Sequence, residues 1–111
     1  MAVLIMGGSG FVGLNIAEAL LGRGETVVLF CLASPPAPIA DVLAKLPGRL
    51  SIEIGDVRQG NSLDEVMQSH SVERIVHGAA ITAGIDRERR EARTIADVNL
   101  GGTIEVLEAA V

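Results

Sequence analysis

Seven consecutive positions near the start of the chain, Gly7-Gly8-Ser9-Gly10-Phe11-Val12-Gly13, carry the first chemical signal. Gly8, Gly10 and Gly13 spell G-x-G-x-x-G, while Gly7, Gly10 and Gly13 spell G-x-x-G-x-x-G. In either register a glycine permits a sharp turn out of a strand, and Gly10 lets backbone N–H groups come close to a pyrophosphate. Gly13 lets the following helix lie against the sheet. The N-terminus of that helix carries about half a positive charge, which suits phosphates. The bland alternative is a tight strand-to-helix turn that holds nothing. A Lys-bearing phosphate loop is excluded, because no Lys-Ser or Lys-Thr follows the glycines.

Such a loop needs a strand before it and a helix after it. Ala2 to Met6 is a continuous apolar run, expected as a strand buried on both faces. From Gly10 the period lengthens, with Val12, Ile16 and Leu20 as a helical stripe that stops near Gly22 and Gly24. Thr26 to Leu32 is a second buried strand, rich in β-branched residues. The stretch from Ser34 to Pro38 reads as loop, and Ile39, Val42, Leu43 and Leu46 as a short helix closed near Pro47-Gly48. Leu50, Ile52 and Ile54 alternate with Ser51 and Glu53, so the third strand has one wet face and belongs at a sheet edge. Asn61 or Ser62 is placed to cap a helix to about Ser69, with Asp64 and Glu65 near its positive end. A fourth strand begins at Arg74, and a last helix runs from about Glu88 or Arg93 to the end.

Alternating strands and helices predict an α/β domain with a parallel sheet and helices on both faces. The two wholly apolar strands belong in the middle and the alternating one outside, which gives the order 3-2-1-4 of a Rossmann-type sheet. The chain stops where a fifth strand would begin. A fragment or truncated form of a larger enzyme is therefore expected, with residues 1–111 as an incomplete cofactor-binding domain.

Composition narrows the partners. One hundred and eleven residues suit one domain, and 49% hydrophobic against 21% charged excludes disorder. A net charge of −5 argues against nucleic acid and against an anionic membrane surface. The single cysteine, Cys31, forms no internal disulfide, no zinc spacing is present, and no apolar run approaches the roughly 20 residues of a membrane span. Met1 leads into the strand with no basic segment or cleavage site, so no signal peptide is expected and the localisation reads as cytoplasmic.

Four motifs in register make the chain resemble the extended short-chain dehydrogenase/reductase family, the NAD-dependent epimerases and dehydratases. They are Gly7 to Gly13, Gly55-Asp56-Val57-Arg58, His77-Gly78-Ala79-Ala80, and Asn99-Leu100-Gly101-Gly102-Thr103. The resemblance spans the whole chain and implies an NAD-linked enzyme acting on a nucleotide sugar or a related hydroxyl or carbonyl compound. It implies that the N–H groups of Phe11 and Val12 meet the pyrophosphate beside Gly7 and Gly10. It further implies that Asp56 accepts a hydrogen bond from the adenine amino group while Val57 packs on the ring. Gly78, Ala79 and Ala80 would line the path to the nicotinamide, Thr82 would contact the cofactor, and Asn99 would support the nearby ribose. The bland readings are a turn cap for Asp56 and an ordinary helix polar residue for Asn99. His77 reads as a packed strand histidine rather than a catalyst.

The chain departs from the family in two places. Strand two should end in an acid for the adenosine ribose, and the matching residue is Cys31, eighteen positions after Gly13. A thiol cannot replace a bidentate carboxylate, so weaker binding is expected, by about 1–3 kcal/mol. NAD is favoured because no basic residue sits there to invite NADP, which is not excluded. The family's proton transfer uses a Tyr-x-x-x-Lys pair, yet there is no tyrosine and the only lysine is Lys45. No catalytic residue is therefore assigned, and the chain alone is expected to be inert. A second reading is a regulatory module that senses NAD(P) without turnover.

The last helix carries two apolar stripes. Ile95, Val98, Gly102, Val106 and Ala109 form one, and Leu100, Ile104, Leu107 and Val111 form another nearly opposite. One stripe can cover the sheet. The other is expected to build a homodimer, or else to meet a later part of the same chain. Arg87, Arg89, Arg90 and Arg93, interleaved with Glu88 and Glu91, read as a solvated segment and not as a phosphate site.

Overall fold

Ala2–Met6 has no charged side chain to keep in water, and all five residues are buried in strand β1. The computed structural model describes residues 2–111; Met1, with the leader reading placed on it, lies outside them. The other strands are β2 (Thr26–Cys31), β3 (Arg49–Ile54) and β4 (Val72–His77), in the order β3-β2-β1-β4 with every pairing parallel. The expected strand order holds, and for the expected reason. The wholly apolar strands sit centrally, while β3 and β4 are edges without a fully buried residue.

Side-chain alternation splits the core into two layers. Ala2, Leu4, Met6, Val28 and Phe30 face one side with Leu63, Val66 and Val106. These last come from α3 (Gly60–Ser69) and α5 (Gly102–Ala110). Val3, Ile5, Val27, Leu29 and Cys31 face the other side with Ala17, Leu21 and Leu43. Those three come from α1 (Phe11–Gly22) and α2 (Ala37–Ala44).

Several boundaries and faces differ from the sequence reading. The residues α1 buries fully are Gly13, Ala17 and Leu21, one position on from Val12, Ile16 and Leu20. Ile16 and Leu20 still pack at the margin of that layer, but Val12 faces out. Close approach to the sheet selects the small residues. Helix α2 starts two residues inside the expected loop, with proline in its first turn, where the missing N–H costs nothing. Neither Asn61 nor Ser62 caps α3, because the helix already begins at Gly60, with Gln59 as its N-cap. Strand β4 starts at Val72, before Arg74, and its register with β1 shifts between Ala2 and Val3.

The expected last helix is three pieces. Helix α4 (Ile85–Ala96) bends at Glu91, whose φ of −126° and ψ of 27° are not helical. A π-helical turn, Asp97–Gly101, then joins it to α5. Among the described residues no helix is long and apolar enough to cross a membrane.

Candidate cofactor-binding site

The carboxyl ends of all four strands open into one cleft of about 400 Å³. Its walls include Gly7 and Gly10 after β1, Phe30 to Leu32 at the end of β2, Gly55 to Arg58 after β3, and Gly78 to Ile81 after β4. Helix α1 leads from β1 to β2 on one side, while β4 lies on the other. That divergence is the topological switch point at which open α/β sheets take ligands.

The loop geometry explains its glycines. Gly7 has φ of +72°, and a Cβ there would lie 2.8 Å from the Gly78 carbonyl oxygen. A Cβ on Gly13 would lie 2.7 Å from the Gly7 carbonyl oxygen. Gly10 is different, because its Cβ would meet only that same oxygen at 3.4 Å, so the space above it is open. The Gly7 N–H donates to the Phe30 carbonyl at 2.9 Å and the Gly10 N–H to the Gly7 carbonyl at 3.1 Å. These two glycines therefore shape the turn, and their own donors are spent within it. Phe11, Val12 and Gly13 open α1, where N–H groups have no carbonyl one turn back. The side chains of Phe11 and Val12 project outward, Phe11 being 84% exposed.

Asp56 is held by its neighbour two residues on. Its Oδ1 accepts the Arg58 backbone N–H at 2.9 Å and the Arg58 Nε–H at 3.0 Å, and Oδ2 accepts from Nη2 at 2.5 Å. The Arg58 guanidinium holds the carboxyl below its usual range, despite some burial. Asp56 thus closes a turn, as its bland reading has it, and also lines the cleft. Val57 is buried and supports α5, since a Cβ on Gly102 would lie 2.8 Å from its Cγ1.

Cys31 lines the cleft but offers it little. The thiol is buried, stands 4.0 Å from the Glu53 carbonyl, and has its pKa pushed up by burial, partly offset by a hydrogen bond with Ser9. Beside it the Phe30 ring lies where a Cβ on Gly55 would come within 2.6 Å of Cζ. Leu32 completes this end of the strand and is 72% exposed.

Across the cleft, Asn99 grips the loop after β4. Its Oδ1 accepts the Ile81 N–H at 2.7 Å, and its Nδ2 donates to the Ile81 carbonyl at 2.9 Å. Asn99 sits in the π turn, and its side chain holds backbone and does not line the cleft. Thr103 donates its hydroxyl to the Asn99 carbonyl at 2.6 Å, and His77 Nε2 lies 3.0 Å from that hydroxyl oxygen. Since the hydroxyl proton is already given away, Nε2 carries the proton that His77 donates. Partial desolvation holds the His77 pKa below its ordinary value. This histidine ties β4 to α5, away from the cleft wall.

Of the twelve residues named from sequence, the cleft wall brings together Gly7, Gly10, Cys31, Asp56, Val57, Gly78, Ala79 and Ala80. Phe11, Val12, Thr82 and Asn99 do not line it. Leu32, Arg58, Arg87, Thr94 and Val98 line it without having been named as site residues. Arg58 was visible in its motif, two residues after an aspartate, the spacing of a side-chain-closed turn. Arg87 alone of its cluster lines the cleft, and its Nε donates to Glu91 at 2.7 Å.

These features fit a dinucleotide: amides at a helix start, a cradle that any Cβ would fill, and apolar walls with few polar groups. The profile of the NAD dependent epimerase/dehydratase family matches residues 3–111. The chain belongs to that family.

Among relatives of this epimerase/dehydratase chain is a UDP-glucose 4-epimerase of Klebsiella pneumoniae. It is 32% identical over 111 residues, covering 98% of this chain and 79% of that protein. Sterol demethylase protein B of Methylococcus capsulatus is 33% identical over 110 residues, covering 99% of this chain and 30% of that one. Two solved structures are also similar. The Bordetella bronchiseptica enzyme WbmG in complex with NAD and UDP has a TM-score of 0.79 at 28% identity, covering 97% of this chain and 33% of that one. The UDP-glucose 4-epimerase of Thermus thermophilus in complex with NAD has a TM-score of 0.78 at 28% identity, covering 98% and 33%. The chain thus spans about a third of both solved structures.

Proposed function

We propose that this chain binds NAD across the carboxyl ends of its strands and forms the cofactor-binding part of a larger enzyme. That enzyme is an epimerase, dehydratase or dehydrogenase acting on a nucleotide sugar or a related hydroxyl or carbonyl compound. One observation carries the reading: Gly7 and Gly13 leave no room for a Cβ, and α1 begins directly after Gly10, which lines the cleft. The complexes of related proteins with NAD and UDP support both the cofactor and the substrate class.

The residues divide the work. The amides of Phe11 and Val12 hold the pyrophosphate, Asp56 and Val57 meet the adenine end, and Gly78, Ala79 and Ala80 line the way to the nicotinamide. Asn99 positions the Ile81 backbone and thereby that wall. Bound NAD supplies a hydride acceptor. Proton transfer needs a group this chain lacks, because it contains no tyrosine and its only lysine lies at the end of α2, outside the cleft wall. The remainder of the enzyme supplies that pair.

Calorimetric titration of the purified chain with NAD tests the reading. Saturable binding displaced by ADP is expected, without turnover of a UDP-sugar. A folded chain that takes up no NAD at millimolar concentration overturns it. The apolar face formed by Leu100 of the π turn with Ile104 and Leu107 of α5 is proposed as the homodimer surface of the whole protein, in a cytoplasmic setting. Sedimentation of that protein as a monomer at micromolar concentration removes the dimer.

A further inference from the structure

The cleft lacks the one feature that makes such a site prefer an unphosphorylated ribose. At the end of β2 its wall is Phe30, Cys31 and Leu32, a ring, a buried thiol and an exposed aliphatic side chain. No carboxylate stands there to accept from a ribose hydroxyl or to repel a phosphate. The loop after β3 begins directly beside this strand end, because the Gly55 N–H donates to the Cys31 carbonyl at 3.0 Å. Three residues later Arg58 lines the same cleft.

Among the described residues the only carboxylate on the wall is that of Asp56, and Arg58 already occupies both of its oxygens. Arg58 spends Nε and one Nη2 proton on that pair. Among the described residues its Nη1 has no protein partner, so three N–H donors remain, two on Nη1 and one on Nη2, on a guanidinium that is partly open to solvent. Arg87 adds a second guanidinium to the wall, itself paired with Glu91. A phosphate monoester next to the adenosine ribose would therefore meet the free donors of Arg58, beside an Asp56 carboxylate already paired with that same guanidinium.

We infer that the adenosine end of this cleft accepts a 2′-phosphorylated dinucleotide at least as well as the unphosphorylated one, with Arg58 as the residue that meets the phosphate. The inference rests on the cofactor reading above. It adds that the chain does not discriminate against NADP.

The test is a pair of calorimetric titrations of the full chain, with NAD and with NADP, repeated with ADP and adenosine 2′,5′-bisphosphate as shorter probes. NADP is expected to bind with a Kd equal to or below that of NAD. Leu32→Asp places a carboxylate on the exposed rim without burying it, and should shift the preference at least tenfold toward NAD. Arg58→Gln should shift it at least fivefold in the same direction, with thermal unfolding checked for both variants. Wild-type binding of NADP tenfold weaker than NAD overturns the inference and leaves the cofactor reading standing. An Arg58→Gln chain whose two affinities fall equally also overturns it. Failure of all four compounds to bind a folded chain removes the cofactor reading itself.

Discussion

Asn99 holds Ile81 by both its backbone groups, accepting the N–H at 2.7 Å and donating to the carbonyl at 2.9 Å. An asparagine amide can do this because it carries an acceptor and a donor side by side. Neither group of Ile81 belongs to a strand ladder, so the loop after β4 takes its position from this clamp. Replacing Asn99 with Ala should cost about 2 kcal/mol, near 1 kcal/mol per part-buried hydrogen bond. Asn99→Asp should fare no better, because a carboxylate accepts the N–H but faces the carbonyl oxygen with like charge. Urea unfolding measures the loss, and faster amide exchange at Ile81 assigns it to the loop.

The glycines of the first loop should separate by role. Gly13→Ala drives a methyl to 2.7 Å from the Gly7 oxygen and 3.0 Å from the Gly8 Cα, both backbone atoms that cannot step aside. A loss of about 1–3 kcal/mol is expected, the range for overpacking. Gly10→Ala meets one atom at 3.4 Å and should cost less than about 1 kcal/mol, while weakening NAD binding more than tenfold. Comparing unfolding midpoints with NAD titrations of both variants distinguishes packing from ligand clearance.

His77 makes stability depend on pH in a stated direction. Its folded pKa lies below the ordinary 6.5, so between those two values the unfolded chain binds more protons than the folded one. Stability from this residue is complete above about pH 6.5 and falls as the solution is acidified through the folded pKa. Asp56 acts lower on the scale. Its carboxyl is held below the ordinary 3.8, so its contribution survives until the pH falls under that value. Unfolding midpoints between about pH 7.5 and 5 should decline for the wild type and decline less for His77→Gln.

The two faces of α5 should respond oppositely. Val106 is buried in the core layer with Leu63 and Val66, and Val106→Ala should cost about 2 kcal/mol for two lost methyl contacts and a cavity. Leu107 beside it is 62% exposed, and Leu107→Glu should change chain stability by less than about 0.5 kcal/mol. In the whole protein the same Leu107→Glu should weaken any dimer, as read by sedimentation.

Much of the fold was legible because its signals are local. The polarity of the strands ordered the sheet, since Ala2 to Met6 and Val27 to Cys31 tolerate burial on both faces while Ser51 and Glu53 do not. The glycine spacing marked the loop because backbone atoms leave no room for a Cβ at Gly7 and Gly13. What escaped depends on approach between distant segments. The buried stripe of α1 fell one residue from its expected place because the sheet pulls small side chains inward. Asn99 carried no signal for Ile81, eighteen residues away, and the π turn that aims it arises inside a helix that reads as continuous. Arg87 was indistinguishable from its exposed neighbours until the bend at Glu91 set the direction of the first turns of α4.

The linear order of residues settled which segments are strands, which strands lie inside, and where a glycine turn leads into a helix start. Periodicity and backbone sterics act within a few residues, so they can be read without knowing what lies opposite. Folding alone settled which side chains face the cleft, how Asp56 and Arg58 share their charges, and which α5 face remains uncovered. Those outcomes come from contacts across the sheet, where a rotation of one residue on a helix exchanges a buried side chain for an exposed one.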